Sequence, residues 1–170
     1  MKKIHFLAYL LCLSAVLNSC GLTGKDPVEK YNSFVSLSNY VTNYGDRQIT
    51  NHSGQYQHLI TAAQNEANIQ ITEGFLKKVE AVDDNSGTKE ATAALGKFCI
   101  NSMKTDYVKI IEFAKGKKTE ETGAFAARLF TARYAEYDKL YTAFDEKISA
   151  FAKAHNIKQQ IINPGASGSR

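Results

Sequence analysis

The amino-acid sequence predicts an all-α protein, an up-down antiparallel bundle of about four helices that follows a cleaved N-terminal segment. Two observations predict this fold. Apolar residues recur at steps of three and four along four segments, which is the spacing of one face of a helix. No alternating strand pattern occurs in the 170 residues, and the connections are short. We therefore expect neighbouring helices to pack antiparallel.

The N-terminal segment predicts export and a lipid anchor. Two lysines precede an apolar run of about a dozen residues, the length of a signal-peptide core and too short for a membrane span, which needs roughly 20 apolar residues. The run leads into a four-residue box that resembles the bacterial lipobox: Leu17, Asn18, Ser19 and Cys20. Cleavage before Cys20 and acylation of its thiol, as with palmitate, follow from that resemblance. The alternative is an ordinary secretory signal that happens to contain a cysteine.

These features predict four parts of the chain: a signal peptide (1–19), a lipidated tether (20–25), a helical bundle domain (26–156) and a flexible C-terminal tail (157–170). Two or three acyl chains hold a protein firmly, so the lipid on Cys20 needs no second anchor. Gly21 is not the aspartate that retains lipoproteins at the inner membrane in enteric-type bacteria. We therefore expect a lipid-anchored protein of the cell envelope, at the outer membrane, on its periplasmic or its surface face.

Charge and cysteine content disfavour several classes of protein. Removal of the signal peptide leaves 19 basic and 17 acidic residues, a net charge of +2, so we expect no nucleic acid partner. Cys12 leaves with the signal and Cys20 is acylated, so Cys99 has no partner for a disulfide. We expect Cys99 to be buried; the alternative is a redox thiol.

The segment after the tether predicts the first helix and carries a family resemblance. Asp26 can cap this helix and Pro27 suits its first position. Its apolar face consists of Tyr31, Phe34, Leu37, Val41 and Tyr44. The run from Lys30 to Asn39 (KYNSFVSLSN) resembles the opening helix of the YiiG-like lipoproteins, a family of unknown function. The resemblance implies an exported, anchored helical domain and brings no catalytic residues.

The second helix is expected from about Gln55 to Val82, and Gly74 weakens its middle by roughly 1 kcal/mol relative to alanine. Its predicted buried face is Tyr56, Ile60, Ala63, Ala67, Ile71, Phe75, Val79 and Val82. The third helix should begin at a capping Thr88 and run to about Lys115. Its predicted buried face is Leu95, Cys99, Met103, Tyr107, Ile110 and Ala114, flanked by Phe98 and Ile111.

Three lysines follow the buried face of the third helix, at positions 115, 117 and 118. Positive charge interacts favourably with the carboxyl end of a helix dipole. We interpret the lysines in that way, and an anion site is the alternative.

The fourth helix is the longest and shows a seven-residue repeat. Its apolar positions alternate steps of three and four, the pattern that lets helices pack as in a coiled coil: Ala127, Phe130, Tyr134, Tyr137, Tyr141, Phe144, Ile148, Phe151 and His155. Tyr134, Tyr137 and Tyr141 could line a face that binds a partner helix or stacks a ligand. The alternative is that they form the edge of the core, with their hydroxyls reaching water.

No constellation of residues predicts catalysis. His52, His58 and His155 have no helical metal spacing, and packing or capping is the simpler role for His155. The sequence contains no Cys-x-x-Cys, no His-Glu-x-x-His and no glycine-rich phosphate loop. We therefore expect no enzyme, no metal and no cofactor. The favoured function is that of a membrane-anchored, non-catalytic helical domain that binds another envelope protein; the alternative is small-ligand binding in an aromatic-lined cavity of the bundle.

Overall fold

Four helices make up the described part of the molecule. The computed structural model describes residues 26–42 and 61–158. Within those ranges it contains α1 (Pro27–Val41), α2 (Ala62–Glu80), α3 (Thr88–Ala114) and α4 (Thr119–Ala154), and no strand. The predicted all-α helical bundle is therefore confirmed.

The order of the cross-helix contacts shows that the helices alternate in direction. Lys97 of α3 pairs with Glu80 of α2 at 2.8 Å, and Lys104 pairs with Glu73 at 2.7 Å, so the two sequences run in opposite senses. The same reversal relates α3 to α4, because the start of α3 contacts the carboxyl-terminal part of α4. In that contact the Thr88 hydroxyl donates to the Lys147 carbonyl at 3.4 Å.

Helix α3 is the centre of the bundle. It packs against each of the other three helices, and it shares its largest interfaces with α4 and α2. The short α1 contacts all three as well. Its Phe34 ring meets the Phe151 ring of α4 edge-on, with 5.7 Å between the ring centroids. Helices α2 and α4 therefore lie on different sides of α3 and make little direct contact.

Polar side chains fix where the helices begin. Asp26 caps α1, accepting a hydrogen bond from the Val28 amide at 3.1 Å. Thr61 and Gln64 form a capping box, in which each side chain accepts from the other residue's backbone amide. Thr61 is extended, so α2 begins at Ala62 and the predicted start near Gln55 is wrong. Residues 43–60, which include Tyr44, Tyr56 and Ile60, lie outside the described part of the chain.

A carboxylate caps α3 from the preceding turn. Asp84 accepts hydrogen bonds from the amides of Lys89 at 3.0 Å and Ser86 at 3.2 Å, and from the Ser86 hydroxyl at 2.8 Å. Burial would raise the pKa of Asp84, but these hydrogen bonds outweigh it, so the pKa lies below its ordinary value. Thr88 is the first residue of the helix. The prediction that Thr88 is the cap is therefore wrong.

The buried face of α2 differs from the predicted one. Ala63, Ala67 and Ile71 are exposed and Phe75 is half-buried, while Val79 and Val82 are buried as expected. The buried residues of α2 are Asn65, Ile69, Thr72, Leu76 and Val79. The apolar pattern did not predict the burial of Asn65 and Thr72, because each is a polar residue whose hydrogen bond permits burial. The Asn65 amide donates to the Met103 carbonyl at 2.9 Å, and the Thr72 hydroxyl donates to the Asn68 carbonyl at 2.7 Å.

The predicted face of α3 is confirmed at most positions. Leu95, Cys99, Met103, Tyr107 and Ile110 are buried, together with the flanking Phe98. Ala114 and Ile111 at its end are only half-buried. After the end of α4, Ile157 packs against the core, although the predicted domain ended at residue 156. Residues 159–170 of the predicted tail lie outside the described range.

Candidate functional site

The repeat of α4 divides into two rows of side chains with different surroundings. The row at every seventh residue from Phe130 is buried: Phe130, Tyr137, Phe144 and Phe151. The row that alternates with it is half-buried or exposed at Ala127, Tyr134 and Tyr141 and becomes buried only at Ile148. The buried row faces the neighbouring helices: Phe98 and Tyr107 of α3 contact Tyr137 and Phe130, and Phe34 of α1 contacts Phe151.

The three tyrosines predicted as one face therefore have different environments. Tyr137 is 5% exposed, and its ring lies 6.3 Å from Phe98 and 6.1 Å from Tyr141, nearly parallel to the latter. Tyr141 is half-buried and also contacts Phe144. Tyr134 is 43% exposed. We call Ala127, Tyr134 and Tyr141, the open row of the repeat, the Tyr134 face.

A buried ion pair that the sequence did not predict lies beside this face. Asp106 of α3 is 3% exposed, and the Nε atom of Arg133 in α4 lies 3.0 Å from its Oδ2 atom. Lys109 approaches the other carboxylate oxygen at 3.4 Å. The Arg133 guanidinium also lies over the Phe98 ring, 5.7 Å from its centroid. Arg133, the neighbour of Tyr134 in the chain, is thus held from two directions.

Two buried polar atoms have no hydrogen-bond partner among the described residues: Asp106 Oδ2 and Asn65 Oδ1. For Asp106 this agrees with the ion pair, because Arg133 Nε is close enough for charge attraction although no hydrogen bond forms at that oxygen. A buried carboxylate next to an arginine and a lysine is compensated electrostatically. The ion pair between Asp106 and Arg133 therefore connects α3 to α4.

The lysines after α3 have neighbours that favour the electrostatic interpretation. Lys115 pairs with Glu112 at 2.7 Å, and Lys117 lies 3.9 Å from Glu121. The Lys117 ammonium also lies 5.9 Å from the centre of the Phe113 ring, which itself stacks on Phe125 at 4.3 Å.

His155 and Cys99 are the described residues that the sequence raised as candidates for metal binding and redox chemistry. His155 is exposed and its ring lies 4.5 Å from that of Phe151. Cys99 is buried as predicted, and burial raises the pKa of its thiol from 9.0 to about 12, so the thiolate needed for redox chemistry is strongly disfavoured. Within residues 26–42 and 61–158 no three side chains of His, Cys, Asp or Glu form a group that could hold a metal.

The predicted anchor lies outside the described residues: Leu17, Asn18, Ser19 and Cys20 all precede Asp26. Among the helices that the structure describes, each is too short or too polar to cross a membrane.

No protein-family model matches the chain, and neither a curated protein nor a solved structure matches it. The YiiG-like resemblance of residues 30–39 stays a prediction. What the described residues define is a helical bundle protein with an open row of side chains on its longest helix.

Proposed function

We propose that the protein is a membrane-anchored bacterial lipoprotein, located at the outer membrane, whose non-catalytic helical domain binds another envelope protein. The anchor is Cys20 in the box Leu17 to Cys20. The binding surface is the Tyr134 face of α4. One observation supports this binding surface: Tyr134 is exposed, whereas the other row of the same repeat is buried.

The chemistry of the Tyr134 face suits a protein partner. Tyrosine buries a large ring and still satisfies its hydroxyl at a wet boundary, which is why it is enriched at interfaces. Arg133 and Glu136 flank it at 3.9 Å from each other and supply a polar rim. Because Asp106 holds Arg133 from within the core, the rim is partly ordered before a partner binds, which lowers the entropy cost of association. The seven-residue spacing of Ala127, Tyr134 and Tyr141 favours a partner helix.

Site-specific photo-crosslinking in intact cells tests the binding surface. A photoreactive phenylalanine analogue at position 134 should give one dominant adduct with an envelope protein. The matched control is position 108, because Val108 is 44% exposed on α3 and Tyr134 is 43% exposed on α4. The same adduct from both positions, or none from position 134, would contradict the proposed surface.

Metabolic labelling tests the anchor independently. Cells that express the natural protein should incorporate labelled palmitate into it, and the Cys20→Ala variant should not. The matched control is Cys99→Ala, which removes the other cysteine of the mature chain and should leave labelling unchanged. Palmitate in the Cys20→Ala variant would refute the anchor assignment.

A further inference from the structure

We propose that the bundle stands end-on at the membrane, with the α2–α3 turn and the carboxyl end of α4 next to the lipid headgroups and the α3–α4 connection pointing away. This orientation rests on the lipid anchor of the proposed function. The orientation specifies which end of the domain meets the lipid surface. It also gives the distance between that surface and the Tyr134 face.

Three parts of the chain meet at the end of the bundle where α1 begins. The Lys30 ammonium donates a hydrogen bond to the Asp83 carbonyl in the α2–α3 turn. Lys147 of α4 lies beside that turn as well, with its Cε and Nζ atoms 3.5 Å from where a Cβ of Gly87 would be. The start of α1, the α2–α3 turn and the last turns of α4 thus form one surface, which we call the proximal end.

The number of residues between Cys20 and Asp26 limits the distance from the lipid to this end. Six residue steps reach at most about 21 Å when fully extended. Helix α3, with 27 residues, is about 40 Å long and carries the chain from the proximal end to the α3–α4 connection around Gly116. The connection can therefore approach the headgroups only if the bundle lies on its side.

Within residues 26–42 and 61–158, the large exposed hydrophobic residues on the sides of the bundle are too scattered to form an apolar face for lying on lipid. Interfacial helices carry a continuous apolar face bordered by basic residues. In the described part of the chain the large exposed hydrophobic residues are distributed one to each helix: Val28, Ile71, Val108 and Tyr134. Acidic partners accompany the lysines on the α2–α3 side, as in the Lys97–Glu80 and Lys104–Glu73 pairs. A recumbent domain would therefore press these paired charges against the bilayer without a continuous apolar face to insert.

The orientation places the Tyr134 face away from the lipid. Twenty residues separate Tyr134 from the end of α4 at Ala154, which corresponds to about 30 Å along the helix. A partner would then bind in the aqueous space at that height, and the headgroups would not cover the face.

Energy transfer from single fluorophores to labelled lipids tests the orientation. The variants Asn85→Cys and Lys118→Cys place one thiol in the α2–α3 turn and one just before α4, both at exposed positions. The natural thiol Cys99 is buried, and unsubstituted protein measures its residual labelling. Each full-length, lipidated variant is incorporated into vesicles of phosphatidylethanolamine and phosphatidylglycerol that contain an acceptor on the headgroup. Circular dichroism checks that both variants keep the helical content of the natural protein.

We expect severalfold more efficient transfer from position 85 than from position 118. Equal efficiencies from protein that floats with the vesicles would show a recumbent bundle, and a reversed order would show the opposite end at the lipid. Either result overturns the orientation while leaving the anchor intact. Protein that fails to float with the vesicles would overturn the anchor, and the orientation with it.

Discussion

Replacing Gly96 by alanine should destabilise the bundle, whereas the same change at Gly74 should stabilise it. Both glycines lie within helices, but only Gly96 lies where another helix crosses. A Cβ atom at position 96 would be 2.9 Å from Cδ2 of Leu37 in α1, while one at position 74 would have no neighbour within 4 Å. Leu37 is 0% exposed, so close packing restricts the movement that would relieve the contact.

The magnitude follows from two opposing effects. Alanine is favoured over glycine inside a helix by about 1 kcal/mol, and this gain applies at both positions. Overpacking a core costs about 1–3 kcal/mol, and this cost applies only at position 96. We therefore expect Gly74→Ala to raise the free energy of unfolding by about 1 kcal/mol and Gly96→Ala to lower it by up to about 2 kcal/mol. The difference between the two variants is the cost of the α1–α3 contact.

Urea unfolding followed by far-ultraviolet circular dichroism measures both free energies. An unchanged slope against urea would attribute each shift in midpoint to stability. The double variant Gly96→Ala with Leu37→Ala should lose less stability than the two single changes added together, because the second change removes the obstructing atoms. If Gly74→Ala and Gly96→Ala raised the midpoint equally, the close approach of α1 to α3 would be refuted.

Three further predictions concern the buried charge, a helix cap and the thiol. Asp106→Ala should lower the free energy of unfolding by about 3 kcal/mol in urea titrations, because it leaves Arg133 partly buried without its carboxylate; an effect near zero would mean that the pair is solvated. Thr61→Ala should cost about 1 kcal/mol in the same assay, because α2 loses its capping box. The comparison is Thr105→Ala, a half-buried threonine inside α3 that caps no helix. Cys99 should make stability fall as the pH rises from 9.0 towards 12, because the unfolded thiol loses its proton over that range while the buried one keeps it. Unfolding titrations of Cys99→Ala should show a shallower alkaline loss, and an identical pH profile would contradict the raised pKa.

The sequence predicted the helices better than their boundaries and faces. The α3 face followed directly from periodicity, because the residues that pack at the centre of the bundle are mostly apolar. On α2 the same reasoning failed, since a tertiary hydrogen bond from Asn65 to the Met103 carbonyl makes a polar side chain part of the core and leaves Ile71 in water. Apolar spacing cannot identify a buried amide whose partner is a distant backbone carbonyl.

The candidate site shows the same limit. The repeat on α4 was visible in the sequence, but which of its two rows would be covered depends on where α3 and α1 pack. Asp106 gave no signal, because an acidic residue three positions before a lysine is usual on an exposed helix face. Its burial and its pairing with Arg133 both depend on how α3 packs against α4, which the spacing of residues along α3 does not reveal.

The central place of α3 has a consequence for how the two flanks of the molecule influence each other. Helices α2 and α4 make little direct contact, so a displacement of one reaches the other by way of α3 or α1. Leu95 and Met103, both fully buried in α3, lie within that mechanical connection. A partner that moves α4 on binding would therefore also shift the packing beneath α2, on the opposite flank of the protein.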